Sequence, residues 1–315
     1  MSFIGKILVE SPGLHTTIQD IGRNGFRRFG VPQSGVMDEY SARLANLLVG
    51  NNPDMQLLEI SFTGPGLVFH EVAVIGLTGA DISANLNRKP MAMYETVFVK
   101  KGDELSFGKL KSGCRAYLSI GGGLIADYVM ESCSTYSPGK FGGYQGRSLK
   151  KGDWLFYHHL KNNPAKVKVP EHLIPVFENK QIIRVLRGPE WVGEEYKDLL
   201  EDNTFIVGKD TDRMGMRLEG RFLESFEKGG MVSSPLAPGV IQMVPSGELI
   251  ISMKDGQTTG GYPRVASIIS ADLGTVAQLR PGDEINFKLV DNQEAKTLFL
   301  HLQKKVDYLY SQIGW

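Results

Sequence analysis

Asp20-Ile21-Gly22-Arg23-Asn24-Gly25-Phe26-Arg27-Arg28-Phe29-Gly30 aligns without gaps on Asp210-Thr211-Asp212-Arg213-Met214-Gly215-Met216-Arg217-Leu218-Glu219-Gly220, and Asp, Arg, Gly, Arg and Gly agree at five positions. Downstream of each copy comes a second pair, Lys101-Gly102-Asp103-Glu104-Leu105 and Pro281-Gly282-Asp283-Glu284-Ile285, with Lys151-Gly152-Asp153-Trp154-Leu155 as a third copy. A Gly-Asp turn that launches a strand is common by itself. In this order, after an eleven-residue match, such turns read as an internal duplication. Near the midpoint, Lys161-Asn162-Asn163-Pro164-Ala165-Lys166-Val167-Lys168-Val169-Pro170 is polar, carries two prolines and lacks a period, as a linker would. The expected organisation is a first half over 1–165, a linker over 166–180, a second half over 181–292 and a C-terminal helix over 293–315.

Working outward, short apolar runs bounded by Gly, Pro, Asn or Asp recur at Ile7–Val9, Val72–Leu77, Thr96–Val99, Arg115–Ile120, Ile182–Leu186, Gly239–Val244, Leu249–Met253, Val265–Ile269 and Ile285–Leu289. They are too short for helices and rich in Val, Ile, Leu and Phe, so they predict strands. Helices are expected in three places. From the N-cap Asp38, Tyr40, Leu44, Leu47 and Leu48 share one face and Gly50 supplies a stop. A second helix is expected from Pro189 to about Glu201, against the weakening effect of Gly193. A third is expected from about Gln293 to Gln312, where Ala295, Leu298, Leu302, Val306 and Leu309 form a stripe that reads as packing on the protein's own core.

Glycine contributes 37 of 315 residues, above the usual share of about 7%, and it is spread along the chain as turns between strands require. Lys plus Arg equals Asp plus Glu at 35 each, without a basic block, which excludes the electrostatic footprint of a nucleic-acid binder. No window carries the roughly 18 uncharged apolar residues of a membrane span. The two cysteines, Cys114 and Cys133, read as buried thiols in a reducing compartment, and the expected location is the cytoplasm.

The densest polar segment is Lys254-Asp255-Gly256-Gln257-Thr258-Thr259-Gly260-Gly261-Tyr262-Pro263-Arg264, just beyond a strand. Glycines let backbone N–H groups approach a ligand, and Gln, Thr and Tyr supply neutral donors and acceptors suited to an amide, carboxylate or ureido group. Its counterpart in the first half runs from His15-Thr16-Thr17-Ile18-Gln19-Asp20 into Gly30-Val31-Pro32-Gln33-Ser34-Gly35-Val36-Met37-Asp38. Arg23 and Arg213 either clamp an anion through a bidentate fork or tie their loops to Asp20 and Asp210. Gly121-Gly122-Gly123-Leu124-Ile125-Ala126 fits G-x-G-x-x-A, but Ser, Pro and Gly-rich sequence follows instead of a helix, so a dinucleotide site is not expected. Asp255 stands where a biotinylated Met-Lys-Met would have its second Met, so no covalent biotin is expected on Lys254. Zinc spacing, a phosphate-cradling G-x-x-x-x-G-K-[ST] and a G-x-S-x-G elbow are missing from the sequence, and no metal site is expected.

Thr16-Thr17-Ile18-Gln19-Asp20-Ile21-Gly22-Arg23 and Gly30–Asp38, with Asp212-Arg213-Met214-Gly215, Gln257-Thr258-Thr259-Gly260-Gly261-Tyr262 and Gln278-Leu279-Arg280-Pro281-Gly282-Asp283, resemble the allophanate hydrolase subunit 2 (KipA) family over about Lys6 to Ala295. The resemblance implies a mainly β protein with a few helices, built as two cyclophilin-like β-barrel halves. It implies the C subunit of an ATP-dependent 5-oxoprolinase, opening 5-oxoproline to L-glutamate with a KipI-type (PxpB-like) subunit and a PxpA-like subunit. ATP is then held by the complex. Two alternatives stay open: the carboxyltransferase part of a biotin-dependent urea carboxylase, and a non-catalytic antagonist of a KipI-like kinase inhibitor. The expected catalytic set is Asp255 as base, Gln257, Thr259 and Arg213; the expected substrate contacts are Thr258, Gly260, Gly261, Tyr262, Gln242, Gln19, Arg23 and Ser34. The chain departs from the family at Glu131-Ser132-Cys133-Ser134-Thr135, where relatives commonly carry a Gly-Ser-Arg-Ser-Thr-like segment.

Overall fold

The computed structural model describes residues 4–160, 164–220 and 231–313. The chain divides into two compact units, one of residues 1–23, 34–177 and 304–315 and one of residues 24–33 and 178–303. The expected class, mainly β with a few helices in two cyclophilin-like barrel halves, is the one adopted.

In the first unit the chain lays down β1 (Ile4–Ser11), β2 (His15–Gln19), α1 (Glu39–Leu48), β3 (Leu57–Ser61), β4 (Gly66–Phe69) and β5 (Ala73–Asp81). Then come β6 (Ala84–Leu86), β7 (Lys89–Pro90), β8 (Thr96–Val99), β9 (Glu104–Phe107), β10 (Ser112–Ile120), β11 (Leu124–Ile125) and β12 (Trp154–His158). They form a seven-stranded sheet, β11-β12-β1-β4-β9-β6-β7, and a five-stranded one, β2-β3-β10-β5-β8. One core lies between them, with Ile7, Val9, Ile18, Ile60, Phe69, Ile75, Leu77 and Leu118 fully buried.

The second unit contains β13 (Lys180–Arg187), α2 (Glu195–Glu201), β14 (Thr204–Thr211), β15 (Gly215–Glu219), β16 (Ser234–Pro235), β17 (Val240–Met243) and β18 (Leu249–Ser252). β19 (Thr259–Gly260), β20 (Arg264–Ile268), α3 (Leu273–Ala277) and β21 (Glu284–Leu289) follow, and then α4 (Asn292–Ile313), whose last turns belong to the first unit. Seven of these strands close into a barrel, β13-β20-β17-β18-β15-β14-β21, sealed by the parallel pairing of β13 and β21 from Lys180↔Glu284 to Val185↔Leu289. Closure leaves no free edge, and the inward positions Ile183, Val185, Phe205, Val207, Ile241, Leu249, Ile251, Val265 and Ile285 are buried.

All nine apolar runs fall on strands. The three Gly-Asp turns are alike in geometry: Gly102, Gly152 and Gly282 have φ of 88°, 90° and 93°. The following Asp103, Asp153 and Asp283 carboxylates accept from the N–H of Lys100, Lys150 and Arg280 at 2.8, 2.7 and 2.8 Å. The eleven-residue match is different. Asp210–Gly220 makes the β14–β15 hairpin, whereas Asp20–Gly30 leaves β2 for an irregular loop that ends in a single 3-10 turn at Arg27–Phe29.

α1 starts at Asp38 as expected, its carboxylate accepting from Ser41 N (3.1 Å) and Ser41 Oγ (2.6 Å). Leu44, Leu47 and Leu48 pack with Tyr94, Val169, Leu173, Val306 and Leu309, so the last turns of α4 rest on the unit's own core. The second expected helix is shorter than the reading from Pro189. Gly193 adopts φ 75°, a left-handed conformation that interrupts a right-handed helix, and only 195–201 is helical. Of the stretch expected as a linker, 161–163 lies outside the described residues. Val167 exchanges backbone and hydroxyl hydrogen bonds with Thr96, while Val169 and Leu173 are buried against α1.

A charged network lies inside the first unit. The Glu59 carboxylate, 1% exposed, accepts from Met37 N (2.7 Å) and from Tyr117 Oη (3.0 Å), and Arg115 Nε lies 4.0 Å away. Tyr117 Oη in turn accepts from Asp38 N at 2.8 Å, joining the network to the α1 cap. Burial first, then the neighbouring Glu59 charge, pushes the Tyr117 phenol well above its ordinary range, so it stays a donor.

Candidate functional site

The β14–β15 hairpin turns at Asp212, whose Oδ1 accepts from Met214 N (2.7 Å) and Gly215 N (3.0 Å). This short side chain closing its own turn leaves the next residue, Arg213, directed inward at 8% exposure. Arg213 donates from Nε to Asp255 Oδ2 (2.7 Å) and from Nη2 to Asp255 Oδ1 (3.1 Å), a bidentate pair. Asp255 N returns a hydrogen bond to Arg213 O (2.8 Å), and Met253 N bonds Met214 O (3.0 Å). The loop after β18 is thereby stitched to the hairpin tip. Sequence reasoning offered Arg213 an anion or Asp210; the bidentate partner observed is Asp255, which lies 42 positions away.

Beside this pair a cleft of 510 Å³ opens, lined among others by Asp210, Thr211, Asp212, Gln242, Ser252, Gln257 and Tyr262. Gln257 is exposed into it. Gln242, 5% exposed on β17, donates Nε2 to Tyr262 O at 3.2 Å. Of the expected residues, the fold therefore brings Gln242, Gln257 and Tyr262 into one cleft and the Arg213–Asp255 pair against its loops. Thr258, Thr259, Gly260 and Gly261 do not line it. Thr258 O accepts from Leu236 N (2.9 Å), and Thr259 and Gly260 pair with Pro235 and Ser234 in the β16–β19 ribbon. Asp212 and Ser252 were not singled out from sequence, although Asp212 lies inside the duplicated motif; Ser252, in an apolar strand, carried no signal.

Gln19, Arg23 and Ser34 belong to the first unit and are all fully buried. Gln19 donates to Thr17 Oγ1 (3.0 Å) and Thr135 O (3.2 Å) and accepts from Gly35 N (3.2 Å). Arg23 donates to Val129 O (3.2 Å) and to Ser134 O, with its guanidinium 4.7 Å from the Phe141 ring centroid. Asp20 accepts from Gly22 N (2.8 Å), Ser132 Oγ (2.6 Å), Cys133 N (2.5 Å) and Ser134 Oγ (2.5 Å). Gln19, Asp20 and Arg23 thus hold the 129–135 loop to the end of β2. Burial first, then Asp20, raises the Cys133 thiol to about 11, so it is protonated and inert near neutrality.

A second bidentate pair anchors the entry to β20. Glu190 accepts from Arg264 Nη2 (2.7 Å), Arg264 Nε (2.9 Å) and Arg264 N (2.9 Å), and the side-chain hydrogen bond to Arg264 holds the Glu190 carboxyl below its ordinary value of 4.5. A depressed folded-state value means that the stabilisation is fully present above the unfolded value and is lost as pH falls through the folded one. Replacing Glu190 with Gln is therefore expected to flatten the loss of stability below pH 4.5, read as denaturation midpoints across an acid series.

Among the described residues, no group of three or more His, Cys, Asp or Glu side chains could hold a metal ion, and no helix is long and apolar enough to cross a membrane. Fold and cleft together define a duplicated β-barrel protein with a polar cleft on its closed barrel. Residues 29–289 match the carboxyltransferase domain, subdomain A and B, and the chain belongs to that family. It is 36% identical to the 5-oxoprolinase C subunit of Haemophilus influenzae over 284 residues, covering 90% of each chain. It is 34% identical to the 5-oxoprolinase C subunit of Escherichia coli, covering 96% of each. Among solved structures it superposes on K. lactis urea amidolyase with a TM-score of 0.90 at 34% identity, covering 98% of this chain but 20% of that one.

Proposed function

We infer that this chain is the C subunit of an ATP-dependent 5-oxoprolinase, acting with partner subunits to open 5-oxoproline to L-glutamate. The observation that carries the reading is mutual coverage. The two bacterial relatives of that name match this chain over nearly their whole length, whereas the urea amidolyase of Saccharomyces cerevisiae, at 38% identity, is matched over 17% of its own length. The cleft chemistry supports it, because the carboxamides of Gln242 and Gln257 and the hydroxyls of Thr211, Ser252 and Tyr262 suit a ring amide, and Lys209 in the same lining suits the α-carboxylate that 5-oxoproline carries.

A lactam resists water because its nitrogen donates into the carbonyl. The nucleotide, bound by the complex, supplies a phosphoryl group that makes the lactam oxygen a leaving group. The cleft gathers no excess of positive charge for a triphosphate: Lys209 and Arg217 line it together with Asp210 and Asp212, and Arg217 is paired with Glu248 at 3.4 Å. What this chain contributes is orientation and donors. In this reading Gln257 and Gln242 hydrogen-bond the ring amide, Tyr262 walls the cleft, and Thr258, Thr259 and the Gly260 and Gly261 backbone set the path of the loop that carries them. The Arg213–Asp255 pair fixes the two loops against each other; with both Asp255 oxygens engaged by the guanidinium, this carboxylate acts as a brace in preference to a base.

The complex assembled with its partner subunits is expected to hydrolyse ATP in response to 5-oxoproline. Gln257→Ala is expected to lower that turnover by roughly 10²- to 10³-fold, the size of effect seen when one preorganised donor is removed. Its melting temperature should stay unchanged, since Gln257 is exposed. Turnover unaffected by the substitution would reject the assignment of Gln257. A complex that ignores 5-oxoproline but carboxylates urea with a biotin carrier would favour the second reading, which the 0.90 superposition on urea amidolyase supports.

A further inference from the structure

Gly260 carries no side chain, and one there would displace the ends of the three side chains gathered over it, two of them carboxamides that line the cleft. Its backbone does not take the left-handed conformation that only glycine adopts readily; it pairs as an ordinary strand residue with Ser234. A Cβ at this position would stand 2.7 Å from Gln242 Nε2, 2.7 Å from Leu236 Cδ1 and 3.2 Å from Gln257 Nε2. Two carboxamides, one from β17 and one from the loop after β18, thus converge on a single bare backbone position, and both line the cleft.

Their states differ. Gln242 is nearly buried and its Nε2 donates to Tyr262 O at 3.2 Å. That bond fixes which end of the amide is nitrogen, because the flipped arrangement would set two oxygens against each other. Gln257 makes no hydrogen bond among the described residues, and its carboxamide is exposed to the cleft. A carboxamide presents a donor and an acceptor side by side. The ligand edge that satisfies both in parallel is one where N–H and C=O lie on the same side: the cis-amide of a lactam or a cyclic ureide. A carboxylate offers only acceptors, a lactone lacks the N–H, and an open-chain trans amide turns its two groups to opposite edges.

The geometry points to Gln257 and Gln242 as a paired-carboxamide reader of a cis-amide edge, with Gly260 as the specificity-determining position whose missing side chain lets the two amides meet. This rests on the cyclic-amide reading above and adds to it the group that is recognised and the residue that permits recognition.

Inhibition of 5-oxoproline-dependent ATP hydrolysis by 2-pyrrolidinone and by γ-butyrolactone tests it, because the two rings differ in the N–H alone. In the complex carrying the native chain, the lactam should inhibit on the order of 10- to 100-fold more tightly than the lactone, as expected for one well-made hydrogen bond whose loss strands its partner. Gln257→Leu, which removes the amide acceptor together with the donor at similar size, and Gly260→Ala should each bring that ratio close to one. Calorimetric titration of both rings into the same complexes gives the ratio independently of turnover, and Gln257→Leu, at an exposed position, keeps the test open if Gly260→Ala fails to fold. Equal binding of lactam and lactone by the native complex, or a ratio that survives both substitutions, would overturn the reader. A complex that shows the lactam preference without turning over 5-oxoproline would overturn the 5-oxoprolinase reading and leave the reader standing.

Discussion

Replacing Asp255 with Ala is expected to destabilise the protein by about 3–5 kcal/mol, the usual result of stranding one member of a buried ion pair. Both side chains are nearly out of solvent, at 9% for Arg213 and 6% for Asp255, and the pair is bidentate at 2.7 and 3.1 Å. Without the carboxylate, the guanidinium loses its bidentate partner and the 212–214 turn loses its side-chain tie to the 253–256 loop. Function should fall further than stability alone explains, because Gln257 is two residues from the severed contact. The double variant Arg213→Met with Asp255→Leu removes both charges and should recover most of the lost stability, since the apolar replacement no longer buries an uncompensated ion. Urea denaturation of the two single variants and the double variant forms a cycle whose coupling energy measures the pair. Single variants with near-native midpoints would show that the pair contributes little, and turnover that survives in the double variant would separate the charge from the positioning of the loops.

A comparable loss, again about 3–5 kcal/mol, is expected for Glu59→Ala in the first unit. This carboxylate is 1% exposed and serves Met37 N and Tyr117 Oη at once, with Arg115 beside it. Its removal leaves the Met37 N–H and the Tyr117 phenol without this buried acceptor and takes away the carboxylate that faces the Arg115 cation, while the cavity left by the side chain adds to the cost. The Tyr117 phenol also accepts from Asp38 N, so the damage should reach the first turn of α1, visible as faster amide exchange at 38–41. Tyr117→Phe is the milder companion, expected at about 1–3 kcal/mol because only the hydroxyl is lost. A Glu59→Ala protein as stable as the native one, or one with unaltered exchange in α1, would contradict this account of the network.

The residues that were legible in the sequence are those whose roles are local. Strands announced themselves through short apolar runs between turn residues, and the Asp38 cap with its helical face predicted α1 because capping and periodicity act within a few positions. The Pro189 helix failed for an equally local reason, Gly193 turning left-handed. The candidate site was legible as a set of residue types and not as an arrangement. Gln257, Gln242 and Tyr262 meet in a cleft, but Thr259, close to Gln257 and Tyr262 in sequence and chemically as suitable, is spent in a two-stranded ribbon. Arg23 and Arg213 occupy matching positions of the duplicated motif, and their surroundings diverge: one fastens backbone carbonyls of a distant loop, the other a carboxylate.

Sequence by itself determined the doubled β organisation and its repeated Gly-Asp turns, since a glycine at φ near 90° followed by an aspartate that closes the turn is a property of three or four neighbouring residues. Only the tertiary structure decided which carboxylate Arg213 would meet and which two glutamines would converge on Gly260. The first contact spans 42 positions and the second sets β17 beside the loop after β18, and both depend on barrel closure and strand register, quantities that no local pattern of residues encodes.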